Sequence, residues 1–239
     1  MNQILQKLYQ GIKNKSEKRY FDIHVNRYRY ILTQIKRLNL SPKAKILDIG
    51  VYPPHLFTAL EFAGHKPLGI SSAHQPIKHP RIKILDIETQ KLPYQQGSID
   101  LVLFAEILEH LSTHPKIIFS HIKKILKPGG LLLLTTPNAT RSQNLFSLIL
   151  AKNIYFPIEQ LKHHPNHRHQ REYTLSELSL LLGSSGFKIL QKACFISYSP
   201  FRPKNKTDPC PLKLIKWVNF LFMLLFPPRR DTLFLLAQA

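Results

Sequence analysis

Four polar residues of this chain each stand at or near the close of a short apolar run. They are Asp48 in KILDIG, Ser71 in PLGIS, Asp86 in RIKILDI and Glu106 in IDLVLFAE, and Gly50 follows Asp48 by two residues. A carboxylate or hydroxyl there can bond the polar edges of a ligand, and a glycine lets backbone approach that ligand closely. Taken singly, Asp48 can cap the next helix and Asp86 can close a turn. Taken together on successive runs, they point to a ligand site. A second group holds histidines: His110 in EHL, then His163, His164, His167 and His169 in HHPNHRHQRE. His110, His164 and His167 are general-base candidates, and their types do not choose between them. Four closely spaced histidines also invite a metal reading. No cysteine lies nearby and the stretch lacks apolar periodicity, so a substrate-facing loop is expected and no metal is assigned.

The elements that must position these groups alternate. KILDIG, PLGIS, RIKILDI, IDLVLFAE and LLLLTTPN read as strands, with HLFTALEFAG and HPKIIFSHIKKILKPGG as helices between them, each closing on glycine. Near-continuous apolar strands separated by helices imply a parallel sheet covered on both faces, the doubly wound α/β class. In such sheets ligands sit at the carboxyl ends of the strands, near the point where strand order reverses. Ahead of the sheet, YRYILTQIKRL spaces its apolar residues as a helix does, so residues 1–44 are expected to form a helical cap. Residues 45–239 form the main domain, with a substrate-side loop at 151–172 and an insertion at 200–229. In TLSELSLLLGSSG, Thr174 and Glu177 match a capping box, and Gly183 or Gly186 stops the helix. FKILQKACFISY and RDTLFLLAQA supply later strands.

Composition narrows the partners. The 239 residues carry a net charge of +20, placed mainly on the flanks: +8 over 1–44, +3 over 45–140 and +9 over 141–239. Basic flanks suit an anionic partner, whether a phospholipid surface, a phosphorylated substrate or nucleic acid. Two cysteines do not make a disulfide framework, and the Lys-studded start lacks the pattern of a secretory leader, so a cytoplasmic setting is expected. The apolar run WVNFLFMLLF is shorter than the roughly 20 residues a membrane span needs. Bracketed by Lys213, Lys216, Arg229 and Arg230, it suits a peripheral position at an anionic membrane, or a helix packed on the sheet.

ILDIG, then LDIETQKLPYQQGSIDLVLFAEILEHL, then LKPGGLLLLTTPN together resemble the class I S-adenosylmethionine-dependent methyltransferases, in the small-molecule group of type 11/23. The resemblance covers residues 45–140 well and continues in outline through REYTLSELSLLLGSSGFKIL. It implies a Rossmann-like seven-stranded sheet with an antiparallel last strand and S-adenosylmethionine as cofactor. By position, it implies that Asp48 and Gly50 shape the loop around the methionine part and that Asp86 and Ile87 lie beside the adenine. Glu106 would face the sulfonium, with Ser71 at the ribose. It further implies His110 on the floor of the substrate pocket, as the catalytic candidate, and Arg168, His169 and Arg171 as contacts to the acceptor. Two departures stand out. Val51-Tyr52-Pro53-Pro54 replaces the usual glycine loop, and Ser71 replaces the acid that grips the ribose. The expected reaction is methyl transfer to an oxygen or nitrogen of a small or lipid-linked acceptor. An RNA methyltransferase is the weaker alternative, since no RNA-binding motif is present. A catalytically silent binding protein of the same fold is the other. The residues do not reveal an oligomeric state.

Overall fold

The computed structural model describes residues 2–155, 157, 159, 168–197 and 210–239. Seven strands form one sheet in the order β3-β2-β1-β4-β5-β7-β6. They are β1 Ile46–Ile49, β2 Leu68–Ser71, β3 Ile82–Ile84, β4 Ile99–Ala105, β5 Leu126–Pro137, β6 Lys188–Phe195 and β7 Thr232–Gln238. Strands β1 to β5 pair in parallel, while β7 runs antiparallel to both neighbours, β5 and β6. The doubly wound sheet with an antiparallel last strand is therefore the architecture found. Strand order reverses between β1 and β4, which fixes where a ligand crevice opens.

The helices are α1 Asn2–Gly11, α2 Lys15–Arg37, α3 His55–Phe62, α4 Pro115–Ile125, α5 Ser142–Ile149, α6 Leu175–Ser184 and α7 Cys210–Leu225. In the central strands the period of two divides the apolar residues between two cores, whereas the edge strands β3 and β6 are largely exposed. Leu47, Ile49, Val102, Phe104, Leu132 and Leu134 face one way, with Ile118, Phe119 and Ile122 of α4 and Leu178 and Leu182 of α6. Ile46, Leu101, Leu103, Leu133 and Phe234 face the other, with Leu5 and Leu8 of α1, Phe21, Tyr28 and Ile31 of α2, and Leu56 and Leu60 of α3. The near-continuous apolar runs follow from this double burial. It also means that the helices before residue 38 share their core with the sheet.

Local signals explain several boundaries. Thr174 and Glu177 form the capping box at α6: Thr174 Oγ1 accepts from the Glu177 amide, and Glu177 Oε2 accepts from the Thr174 amide at 2.9 Å. Gly186, with φ at +81°, takes the left-handed turn after that helix at no steric cost. The expectation that α4 closes on glycine is not met. The helix ends at Ile125, and Pro128-Gly129-Gly130 lies inside β5, where the strand begins directly after the helix. Strand β3 is also shorter than its apolar run, because Asp86 already draws the chain into a turn: it accepts from the Glu88 amide at 3.0 Å and from Thr89 Oγ1 at 2.8 Å.

Candidate active site

The carboxyl ends of β2, β1 and β4 lie side by side, with Ile49 opposite Ile70 on one flank and Phe104 on the other. Asp48, on β1, is only 4% exposed. Among the described residues no hydrogen bond reaches its carboxylate, and burial alone pushes its pKa up to about 7. Gly50, with φ at +87°, turns the chain out of β1. Ile107 packs so closely on it that a Cβ there would lie 2.0 Å from the Ile107 Cδ1. Pro54 precedes α3 as its cap, and His55, buried, takes the first helical position. His55 Nε2 faces Glu17 Oε1 at 3.1 Å while Nδ1 faces the Tyr28 hydroxyl at 3.2 Å, so both contacts tie the glycine-poor loop to α2.

Ser71 is buried at the end of β2, and its hydroxyl accepts from the Ile77 amide at 3.3 Å. Asp86 is exposed in the turn that it caps, while Ile87 is half-buried against the core. These two acceptors and Asp48 therefore sit on three successive strand ends, as expected. Glu106, at φ +57°, stands just past β4. Its Oε2 accepts from Arg27 Nη1 at 2.9 Å, and its Oε1 accepts from Thr135 Oγ1 at 2.9 Å. Arg27 is buried on α2, where Glu106 holds its guanidinium charged against burial.

Three residues on, Glu109 is 1% exposed. Burial, with the charge of Glu106 added, raises its pKa well above the ordinary range, although Thr136 Oγ1 donates to its Oε2 at 2.9 Å. Its backbone oxygen accepts from the Gln170 amide at 2.7 Å, which joins the turn after β4 to the segment before α6. His110 Nδ1 is 3.0 Å from the Arg168 carbonyl, and its ring meets His169 edge to face at 5.1 Å. His169 Nδ1 is 2.8 Å from Glu172 Oε1. Burial alone would raise the pKa of Glu172, but His169 and the ion pair from Arg141 outweigh it and hold the carboxyl at about 2.

His110, His169 and the Arg168 backbone are thus brought together. The Arg171 side chain is not among them. It is 64% exposed and pairs with Glu177 at 2.8 Å on α6. His163, His164 and His167 lie outside the described residues. Arg27, His55 and Glu109 were not singled out from sequence. Arg27 meets Glu106 across 79 positions, a distance at which spacing carries no signal. Glu109, within the same EILEHL stretch as Glu106, was readable as an acid one turn on.

A family model described as a methyltransferase domain matches residues 23–192. A ubiquinone biosynthesis O-methyltransferase of Nitrosococcus oceani is 31% identical over 142 residues, which cover 55% of this chain and 58% of that protein. A protein of Mycolicibacterium smegmatis named "Probable S-adenosylmethionine-dependent methyltransferase" is 28% identical over 117 residues, 49% of this chain and 39% of its own length. The aligned parts therefore span less than two thirds of these two relatives. Among solved structures, a chain from the complex of the Haloferax volcanii Trm112 methyltransferase activator with a methyltransferase superposes with a TM-score of 0.64. It shares 16% identity over 94% of this chain and 92% of its own, a likeness of fold.

Proposed function

The chain belongs to the class I S-adenosylmethionine-dependent methyltransferases, and from that membership we propose that it methylates an oxygen or nitrogen of a small or lipid-linked acceptor. The observation that carries the reading is the row of polar groups along neighbouring strand ends beside the point where strand order reverses. These residues suit the donor. The buried Asp48 carboxylate, without a hydrogen bond among the described residues, is an acceptor for a cationic amine. Ser71 and Asp86 offer acceptors for hydroxyls, and half-buried Ile87 offers an apolar edge for a flat ring. S-adenosylmethionine, when bound, supplies a methyl group already activated by its sulfonium. What remains for the chain is to orient both partners and keep water out, and orientation of this kind is a large share of such rate accelerations.

Support for a small or lipid-linked acceptor comes from the half-exposed pair His110 and His169 beside the turn after β4, and from the small-molecule enzyme that the Nitrosococcus relative is named to be. An anionic membrane is a second partner that one observation favours. Helix α7 leaves Leu214, Ile215, Trp217, Val218, Leu221, Leu224 and Leu225 exposed, next to Leu148, Ile149 and Leu150 at the end of α5.

The direct test feeds isotopically labelled methyl donor to extracts of cells with and without the chain, followed by mass spectrometry of lipid, small-molecule and RNA fractions. A labelled lipid or small molecule that depends on the chain is the expected result. Label confined to RNA would replace this reading with the nucleic-acid one, and no dependent label would leave a silent binding protein.

A further inference from the structure

We propose that Glu109, His110 and His169 form a binding site for a divalent transition-metal ion, between the turn after β4 and the segment before α6. One Glu109 oxygen and one nitrogen of each ring lie within 4.8 Å of one another, and His110 Nε2 is 3.8 Å from Glu109 Oε1. Tetrahedral ligands about 2.1 Å from an ion stand about 3.4 Å apart, so side-chain shifts of roughly 1 Å would close the set.

The orientation of the three side chains supports the assignment more strongly than their proximity. The Arg168 carbonyl can only accept, so His110 carries its hydrogen on Nδ1 and its lone pair on Nε2, the nitrogen beside Glu109. The ionised Glu172 carboxylate likewise takes the Nδ1 hydrogen of His169, and Arg141 holds that carboxylate in turn. Thr136 donates to Oε2 of Glu109, which leaves Oε1 on the His110 side. Each of the three donors is thus fixed by its own outer partner. Protein metal sites orient their ligands in this way, and loss of such a partner commonly costs ten- to a hundredfold in affinity.

Two imidazoles and one carboxylate suit Zn²⁺ and its first-row neighbours rather than Mg²⁺ or Ca²⁺, which take oxygen sets. Three protein ligands also leave a coordination position open. The use of the ion, though not its binding, rests on the methyl-transfer reading. An acceptor hydroxyl held in the open position would release its proton to solvent at lower pH, so His110 Nε2 would serve as a ligand and not as the base. Of the histidine run, His169 is the member among the described residues, and it takes part. Its partners lie about sixty positions earlier, which is why the spacing of the run alone argued against a metal.

The test uses the full chain, stripped with a chelator and titrated with zinc chloride against a chromophoric competitor. One equivalent should bind, and His110→Ala and His169→Ala should each weaken it at least tenfold. Glu172→Gln should weaken it by a similar factor through loss of orientation, whereas exposed His74→Ala should leave it unchanged. Cobalt(II) added to the stripped wild-type chain should give visible ligand-field bands. These measurements need no methyl donor, so their failure is separable from failure of the functional reading. The proposal is overturned if wild type takes no zinc from the competitor, or if folded His110→Ala/His169→Ala binds as tightly as wild type. If the variants unfold, a wild-type cobalt spectrum without visible bands overturns it equally.

Discussion

At Asp48, burial and charge are opposed. Its folded pKa of about 7 lies above the ordinary carboxylate value. An acid raised in this way contributes stability that is fully present below its unfolded pKa, near 3.9, and is lost as pH rises to the folded value. Ligand-free wild type should therefore lose, relative to Asp48→Asn, on the order of 4 kcal/mol between pH 4 and pH 8. Urea unfolding of the two proteins at several pH values checks this, and parallel curves would show that Asp48 is not held as described. The same carboxylate should release its proton when a cationic donor binds. Donor affinity is then expected to rise with pH up to about 7 and to level off above it, with a buffer-dependent calorimetric heat below that point. At the neighbouring strand end, Ser71→Asp would restore a two-oxygen acceptor. Donor binding should tighten about ten- to a hundredfold, the equivalent of a hydrogen bond to a charged group of roughly 1.5–3 kcal/mol. An unchanged dissociation constant would mean that Ser71 does not face the ribose.

At the scale of elements, what could be read from sequence depended on how local the cause was. The central β-strands announced themselves through double burial, and α6 through Thr174 and Glu177, whose capping box is a four-residue pattern. Thr174→Ala should accordingly cost about 1 kcal/mol and lower Tm by about 2–4 °C, measured by thermal unfolding. The row of Asp48, Ser71 and Asp86 was legible for the same reason, since each closes its own apolar run. The contribution of α2 was not. Arg27 and Tyr28 look like ordinary members of a helical face, and only the packing of α2 over the sheet turns them toward Glu106 and His55. Arg27→Met would leave the Glu106 carboxylate without its cation, which for a largely buried pair is expected to destabilise the fold by about 3 kcal/mol. Adding Glu106→Gln should recover part of that loss in urea unfolding. No recovery would mean that Arg27 acts through packing alone. His169 was hard to place for a related reason: among the described residues it meets Glu109 and His110 from the turn after β4, about sixty positions earlier, and not its sequence neighbours alone.

Along the whole chain, the segment 141–239 that carries +9 of the net charge also holds the exposed apolar residues of α7. No helix among the described residues is long and apolar enough to cross a membrane. Only Met223 of the side chains described on α7 is buried, while Phe222 meets Phe146 of α5 at 5.4 Å. The described part of α7 thus meets α5, and much of its apolar surface is exposed. With basic residues on both flanks, each Lys or Arg near anionic lipid adding about 1 kcal/mol, the chain should sediment with anionic vesicles at low salt. Salt and the pair Leu221→Ser/Leu225→Ser should each reduce this, and wild type remaining in the supernatant would remove the membrane as a partner. The central claim, that the strand ends bind the methyl donor for transfer, is tested most directly by calorimetric titration of the purified chain with S-adenosylmethionine. One site is expected, weakened at least several-fold in Asp86→Ala, with a matching rise in thermal stability of the wild type. No heat and no thermal shift at millimolar donor would contradict it.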